Sequence, residues 1–282
     1  AMLGLVLIKT NKFWKPSVMA VMTFTQFCLT TLILGVVIFE LKIGSSPFLL
    51  LRDVVQDAIF VVNPEFIPED GNGLNPLLQN YWMVIHPPTL FLGFASTVVP
   101  FAYAIAGLWI GKYKEWIRPA LPWAQFAAMI LGIGILMGAY WAYETLNFGG
   151  YWNWDPVENA IYIPWLTLIA AIHTMIAYKK NENALKAALI LVLVTYLLIL
   201  YSTFLTRSGV LGETSVHSFT DLGLSGQLLL FLVLFLAGCV LLLVRVWKKI
   251  PLTDKEMSAY SREFWIFMGA TVLCLMAFQI II

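Results

Sequence analysis

The chain has 282 residues, of which 60% are hydrophobic and only 12% are charged, and its formal net charge is +1. Soluble domains carry about 25% charged residues, so this composition, with a mean hydropathy of +0.83, excludes an ordinary soluble domain and indicates an integral membrane protein. The small net charge gives no indication of a nucleic-acid partner or an acidic substrate. Cys28, Cys239 and Cys274 lie in apolar runs without CxxC spacing, which is typical of small buried residues rather than of a redox or metal pair.

Apolar runs of about 20 residues, the length that crosses a hydrocarbon core, predict seven full spans after a short apolar start. These runs lie at about 17–40, 87–110, 120–142, 161–178, 187–206, 226–247 and 264–282. Solid apolar blocks favour helices, because the strands of a barrel would alternate. We therefore predict an all-α polytopic transmembrane helix bundle that forms a single domain over 1–282. Both ends of the sequence are apolar, which we interpret as truncated spans of a longer protein.

Basic residues occur in alternate loops, which predicts that these loops share one side of the membrane. By the positive-inside rule that side is the cytoplasm, so the other loops face the periplasm of a Gram-negative cell and the protein is a multi-pass inner-membrane protein. The long outer loop at 41–85 contains an amphipathic stretch, 48–62, that predicts an interfacial helix. The basic residues of these loops are Lys9, Lys12, Lys15, Lys112, Lys114, Arg118, Lys179, Lys180, Lys186, Arg245, Lys248, Lys249, Lys255 and Arg262, and the other loops hold the remaining three, Lys42, Arg52 and Arg207.

A dense aromatic segment, 149–160, lies on the predicted outer face within an aromatic-rich region at 141–165. Its aromatic rings offer large flat faces with polar tips, and its glycines let the backbone approach a partner closely. Its acidic and amide side chains can hold the loop by hydrogen bonds, and its proline suits the first turn of a helix. An interfacial aromatic belt has a similar composition, so the segment alone leaves both interpretations open. The residues concerned are Tyr151, Trp152, Trp154, Asp155, Pro156, Glu158 and Asn159.

The chain has three histidines, and two of them share the predicted face of the aromatic segment. His86 lies at the outer mouth of the second span, before two prolines, and His217 lies in the outer loop after the fifth span. Two imidazoles beside a flat apolar surface suit the axial positions of a six-coordinate haem iron. His173 lies in the fourth span, roughly 18 Å from its outer end at 1.5 Å per residue, where a polar group usually has a function. The sequence has no zinc, phosphate-loop or nucleophile-elbow pattern.

Several motifs resemble those of cytochrome c biogenesis proteins of the CcmF family, which is related to NrfE and CcsA. The segment 149–160 resembles the tryptophan-rich WWD signature of haem-handling proteins, with Tyr151 and Phe148 at positions where tryptophan is common. The segments 86–88, 207–211 and 215–219 are similar to the signatures that flank it in the family, as are 74–78 and 164–166. The resemblance covers nearly the whole chain in the same order.

The resemblance implies that haem, delivered by a haem chaperone, binds at the outer face with His86 and His217 as axial iron ligands. Trp141, Tyr151, Trp152 and Trp154 are then expected to pack against the porphyrin, and Arg207 to pair with a propionate. His173 is expected to ligate a second, b-type haem inside the membrane. In the family the partner histidine of that haem comes later in the chain, and no histidine follows His217 in this sequence.

The resemblance also implies the activity of a holocytochrome c synthase-type lyase that attaches haem to the CxxCH cysteines of apocytochrome c. Trp152, Trp154 and Asp155 are expected to position the haem, and no nucleophile of this chain is needed. The implied partners are the haem chaperone, apocytochrome c, a thiol-reducing subunit that binds apocytochrome, and membrane lipid; nucleic acid is not expected. Two alternatives stay open, a transporter that moves haem across the membrane and a non-catalytic docking scaffold. Oxidation of a quinol is compatible with the lyase but has no residue signature.

Overall fold

The computed structural model is almost entirely helical over the residues that it describes, which are 4–7, 13–39, 41–50, 52, 58–67, 69–71, 73–147, 149–179, 182–212, 215, 223–251, 258 and 260–281. Single 3-10 turns lie at Pro76–Leu78 and Trp247–Lys249. The other elements are α1 (Lys15–Thr31), β1 (Val36–Ile38), β2 (Leu41–Ile43), α2 (Ala58–Val62), α3 (Tyr81–Ile110), α4 (Ile117–Thr145), α5 (Pro156–Tyr178), α6 (Ala184–Arg207), α7 (Ser225–Val246) and α8 (Arg262–Ile281).

Six helices within the described residues, α3 to α8, are long and apolar enough to cross a membrane. They confirm the predicted all-α transmembrane bundle, and their ends agree with the apolar runs to within a few residues. The largest shift is at α3, which begins at Tyr81 rather than at the apolar run that starts at 87, so His86 lies inside the helix. The sequence predicts seven full spans, and the difference lies in the run at 17–40.

The apolar run at 17–40 is not one helix. α1 ends at Thr31 after 17 residues, or about 26 Å of helix at 1.5 Å per residue, and the chain then forms the antiparallel pair of β1 and β2. Gly35 and Gly44 at the base of this hairpin have φ angles of +62° and +73°, and a Cβ atom at either would collide with neighbouring backbone. Once these glycines turn the chain, the β-branched residues of β1 favour a strand.

The interfacial helix predicted over 48–62 is helical at Arg52 and over Ala58–Val62, which is α2, whereas residues 48–50 are not helical. Residues 51 and 53–57 lie outside the described residues.

Glycines bring α3 and α4 into close contact. α3 packs extensively against α4, and α5 packs against α6 and α8. A Cβ atom at Gly93 would lie 2.7 Å from Leu131 Cα, and one at Gly134 would lie 2.8 Å from Leu90 Cα. Small residues at a crossing let transmembrane helices approach backbone to backbone. The half of α3 nearer Tyr81 is therefore fixed against the half of α4 nearer Thr145.

Contacts between loops define two ends of the bundle. Lys114 Nζ lies 2.7 Å from Glu182 Oε2 and joins the turns that follow α3 and α5, both of which are rich in lysine. At the opposite end Asn80 Nδ2 donates to Glu144 Oε2 at 3.0 Å. We call these the basic end and the aromatic end, because the segment 149–155 lies at the second. The basic loops of these helices share one end, as the alternation predicts.

The core of the bundle lies toward the basic end and consists of buried aromatic, aliphatic and small side chains. Phe101 stacks on Tyr196 with ring centroids 4.3 Å apart, and Trp116 is fully buried. The thiols of Cys28 and Cys239 are free and buried, and that of Cys274 is half-buried, in agreement with the expectation that the cysteines are packing residues.

Candidate functional site

A capping box at the start of α5 holds the aromatic segment in one shape. Asp155 Oδ1 accepts a hydrogen bond from the Val157 N–H at 2.8 Å, and Glu158 Oε2 accepts from the N–H groups of Asn153 at 3.0 Å and Asp155 at 3.3 Å. Both carboxylates are more than nine-tenths buried. A capping box satisfies the N–H groups that the first turn of a helix leaves without partners. The acidic residues of the motif therefore hold the loop, as the sequence predicts.

The same Asp155 carboxylate contacts the chain that follows α6. Ser215 Oγ donates to Asp155 Oδ1 at 2.7 Å, and Ser215 opens the motif 215–219. His217 comes two residues later and lies outside the described residues, as does Phe148, so the predicted role of His217 stays a prediction. The bond fixes the start of the His217 motif beside Asp155, in the middle of the aromatic segment.

Tyr151 belongs to a cluster of tyrosines at the aromatic end. Its ring stacks on that of Tyr143 with centroids 4.3 Å apart and an interplanar angle of 7°, and it lies 6.1 Å from the Tyr140 ring. Half of Tyr151 is exposed. The stack fixes the ring and leaves part of its surface open to a ligand.

The two tryptophans of the segment form a second cluster. Trp152 packs edge-on against Trp154, with centroids 6.2 Å apart, and against Tyr162 at 5.5 Å. Trp154 is 62% exposed. The Trp152 Nε1 atom is buried, and none of the described residues accepts a hydrogen bond from it. This N–H is a donor that a polar group of a bound ligand can use.

His86 is held by the backbone of α4. Its Nδ1 atom lies 2.7 Å from the Gly134 carbonyl oxygen, and a carbonyl only accepts hydrogen bonds, so Nδ1 carries the proton. In the neutral ring the lone pair is then on Nε2, the arrangement typical of metal-binding histidines. A Cβ atom at Gly138 would lie 2.6 Å from His86 Cε1 and 3.0 Å from both ring nitrogens. The imidazole therefore occupies space that a glycine leaves open.

Ring contacts connect the face of His86 to the aromatic segment. Trp82 lies one helical turn before His86 and therefore on the same face of α3. The Trp82 ring lies 4.8 Å from Tyr140, and Tyr140 lies 6.1 Å from Tyr151. The structure thus brings His86 and the aromatic segment, more than 60 residues apart in the sequence, to one end of the bundle.

Trp141 and Arg207, two further predicted site residues, also lie at the aromatic end. Trp141 is buried, and its Nε1 donates to the Leu77 carbonyl at 3.0 Å, so it holds the loop before α3 against α4. Arg207 is half-buried and ends α6, and Gly209 with a φ of +77° turns the chain directly after it. Their expected contacts with a porphyrin and its propionate stay predictions.

His173 lies toward the basic end, roughly 26 Å along α5 from Pro156 at 1.5 Å per residue. Its Nδ1 atom is buried, and no described residue forms a hydrogen bond with it. Gly269 of α8 lies beside the ring, where a Cβ atom would be 3.6 Å from Nδ1. Within the described residues no group of three or more histidine, cysteine, aspartate or glutamate side chains could hold a metal ion.

The residues at the aromatic end fit an iron porphyrin. A neutral imidazole with its lone pair on Nε2 is a haem ligand, exposed aromatic faces can cover a flat ring, and a buried indole N–H can meet a polar substituent. The glycines Gly134 and Gly138 are absent from the residues that the sequence singles out. Their signal was the four-residue spacing of small residues on a transmembrane helix.

The comparison with a family model decides the classification. The model described as cytochrome c assembly protein matches residues 1–211. The chain belongs to the cytochrome c assembly family. Within this family it is 37% identical to CcmF of Pseudomonas aeruginosa over 239 residues, which are 84% of this chain and 36% of the relative. It is 42% identical to CycK of Bradyrhizobium diazoefficiens over 199 residues, 70% of this chain and 29% of the relative.

A solved structure supports the same membership. The structure titled cytochrome c haem lyase CcmF matches 99% of this chain and 38% of its own chain, with a TM-score of 0.68 and 25% identity. The chain spans about a third of the length of the curated relatives it matches. The resemblance to the CcmF family that the motifs predict is confirmed, as is the polytopic helical fold.

Proposed function

We propose that this chain is the haem-handling part of a cytochrome c haem lyase, with haem bound at the aromatic end as the substrate. His86 and His217 are its axial ligands in this proposal, and the aromatic segment is the surface against which the porphyrin packs. The observation that carries the proposal is the His86 ring. It is held by the Gly134 carbonyl in the tautomer that suits iron, at the end of the bundle where the aromatic segment lies, in a chain of the cytochrome c assembly family.

The exposed aromatic rings can supply most of the binding free energy. Burying roughly 400 Å² of porphyrin at 25 cal/mol per Å² gives about 10 kcal/mol before the cost of association. Tyr151 and Trp154 offer exposed rings, and Trp152 a buried N–H. Arg207 is proposed to pair with a propionate, because a guanidinium matches carboxylate geometry, and Trp141 to support the porphyrin edge. Asp155 acts on the site by holding the loops that carry these groups.

The proposed reaction is the addition of two apocytochrome thiols to the two vinyl groups of haem. In each addition the sulfur bonds to one vinyl carbon and the proton passes to the other, so no group leaves and no oxidant is needed. The nucleophiles come from the CxxCH motif of apocytochrome c. This chain then contributes position and orientation, which can lower a bimolecular barrier by several kcal/mol. Cys28 and Cys239 are buried and take no part.

The same proposal includes the surroundings of the protein. The aromatic end faces the periplasm, and the basic end faces the cytoplasm, since lysine and arginine are retained on the inner side. A haem chaperone delivers the haem, and a thiol-reducing subunit presents apocytochrome c. These partners meet the chain at the aromatic end, because the vinyl groups have to be exposed there.

Purified full-length protein with His86→Ala or His217→Ala tests the proposal. We expect each variant to lose the low-spin absorption of the haem at the aromatic end and to lose cytochrome c maturation, while the band proposed for the His173 haem remains. An unchanged melting temperature is the control for folding. If both variants keep the wild-type spectrum and still support maturation, the ligand assignment is wrong. Haem flux into sealed proteoliposomes would indicate a transporter instead. Haem binding that survives replacement of the aromatic segment would indicate a docking scaffold.

We also propose that His173 ligates a b-type haem inside the membrane. Its buried Nδ1 without a described hydrogen-bond partner and the glycine beside it on α8 support this role. A buried polar group in a transmembrane helix costs free energy unless it is hydrogen-bonded or binds a ligand, and such groups usually mark functional sites. His173→Ala in the full-length protein should remove one low-spin b-type absorption band. An unchanged haem stoichiometry would rule the role out.

A further inference from the structure

We propose that Gly134 and Gly138 are positioning residues for His86: the Gly134 carbonyl fixes the tautomer, and Gly138 leaves the space in which the ring lies. α4 thereby determines which nitrogen His86 offers to iron and where that nitrogen points. The inference rests on the proposed function, because it concerns the same ligand. It can nevertheless be tested in the protein without haem.

The hydrogen bond of His86 uses the second lone pair of the Gly134 carbonyl oxygen as its acceptor. In an α-helix the carbonyl of residue 134 accepts from the N–H of residue 138, and a carbonyl oxygen can accept two hydrogen bonds. His86 Nδ1 reaches this oxygen at 2.7 Å. It does so across the position where a side chain of residue 138 would project. One glycine therefore provides the acceptor, and the other, four residues later, allows access to it.

The obstacle that a Cβ atom would meet differs between these glycines. At Gly138 the nearest atoms are the ring atoms of His86, at 2.6 Å for Cε1 and 3.0 Å for Nδ1 and Nε2. The ring is the end of a flexible side chain, so it can rotate away while both helices stay in place. At Gly134 and Gly93 the nearest atoms belong to the backbone of Leu90 and Leu131, so a substitution there pushes α3 and α4 apart.

Gly138→Ala should therefore displace the His86 ring with little change in the fold. The displaced ring loses the Gly134 carbonyl, and with it the contact that fixes the tautomer. Groups that orient a metal-binding histidine in this way typically contribute 10- to 100-fold in affinity. We expect the dissociation constant of haem at the aromatic end to rise by about that factor, and the low-spin spectrum to become partly high-spin.

The test that needs no haem uses the full-length protein with ¹⁵N-labelled histidine. The resonances of His86 are assigned from the His86→Gln variant. In the wild type we expect a protonated Nδ1 and an unprotonated Nε2 at neutral pH. In Gly138→Ala we expect exchange between the two tautomers. Unchanged His86 shifts in this variant would overturn the proposal.

Two control variants separate ring displacement from general loosening. A Cβ atom at Gly238 on α7 would meet no atom within 4 Å, so Gly238→Ala should change neither the His86 shifts nor haem affinity. Gly93→Ala should lower the melting temperature more than Gly138→Ala does, because its Cβ atom meets the backbone of α4. If Gly138→Ala lowers the melting temperature as much as Gly93→Ala does, helix separation explains its shift changes and the proposal fails. Wild-type protein that fixes the tautomer but binds no haem at His86 would contradict the proposed function and not this inference.

Discussion

Ser215 and Asp155, 60 residues apart in the sequence, are joined by a buried hydrogen bond of 2.7 Å. Ser215 opens the motif that contains His217, and Asp155 caps the helix that follows the aromatic segment. One carboxylate therefore holds the chain on both sides of the proposed haem site. This relationship makes Asp155 a positioning residue, whose loss would affect haem binding without any contact to haem.

Ser215→Ala should remove the hydrogen bond that joins the His217 motif to Asp155, while the capping box of α5 stays intact. A hydrogen bond to a charged group contributes about 1.5–3 kcal/mol, so we expect the variant to melt at a lower temperature and to bind haem more weakly. Thermal unfolding in detergent and haem titration measure the two effects. Asp155→Ala should cost about 0.5–2 kcal/mol more, because it also removes the N-cap. Wild-type haem affinity in Ser215→Ala would show that the motif is held by other contacts.

Glu158→Ala should loosen the backbone of the aromatic segment. Glu158 Oε2 accepts from the N–H groups of Asn153 and Asp155, and leaving a buried N–H without a partner costs about 1–3 kcal/mol. Hydrogen exchange at these two amides should accelerate in the alanine variant. Glu158→Gln keeps an acceptor oxygen and should show a smaller acceleration. Equal exchange in the two variants and the wild type would mean that the loop is held independently of this side chain.

The long helices could be predicted from composition because every backbone polar group in a hydrocarbon core must be bonded within its own segment. That rule ties an apolar run of sufficient length to a helix, and α3 to α8 follow it. It does not apply where a run leaves the core, so the run at 17–40 was predicted wrongly beyond Thr31. The start of α3 was predicted too late because Pro87 and Pro88 resemble a helix start, whereas Asn80 caps the helix by accepting from the Trp82 N–H at 2.8 Å.

The residue types of the site could be predicted in part. Asp155 and Glu158 hold the loop by hydrogen bonds, as predicted, and the structure shows that they do so as the capping box of α5. His86 lies at the same end as the aromatic segment. The contacts of His86 with Gly134 and Gly138 could not be derived in the same way. They depend on the crossing of α3 and α4, and no local pattern fixes which side chain faces a glycine on another helix. The bond from the Trp141 N–H to the Leu77 carbonyl could not be derived from the sequence either, and the expected porphyrin contact of Trp141 stays a prediction.

Replacing Tyr151 separates the need for an aromatic ring from the need for a hydroxyl. The exposed half of the ring is proposed to pack against the porphyrin, and an aromatic pair contributes about 0.5–1.5 kcal/mol beyond its buried area. Tyr151→Ala should weaken haem binding by up to roughly tenfold on this account, whereas Tyr151→Phe and Tyr151→Trp should stay near the wild-type affinity. Haem titration of the three variants is the measurement. An alanine variant that binds haem as tightly as the phenylalanine variant would remove this ring from the site.

At position 154 the left-handed backbone favours glycine for stability, whereas haem binding is proposed to need the indole side chain. The φ angle of Trp154 is +55°, a left-handed conformation that costs a residue with a Cβ atom about 1–2 kcal/mol and costs glycine almost nothing. Trp154→Gly should therefore be more stable than Trp154→Ala by about 1 kcal/mol. Both variants should lose haem affinity equally, roughly 60-fold if about 100 Å² of indole surface is buried by the porphyrin. Thermal unfolding and haem titration test the two halves of this prediction.

Trp109 provides the matched control for the Trp154 variants. It is 61% exposed, almost the same as Trp154, but it lies at the basic end of α3. Trp109→Ala should leave haem affinity at the aromatic end unchanged, because no bound porphyrin there can reach it. If Trp109→Ala weakens haem binding as much as Trp154→Ala, the losses reflect a general effect of removing an exposed indole from a membrane protein. If Trp154→Gly is no more stable than Trp154→Ala, the left-handed backbone at this position is not a source of strain.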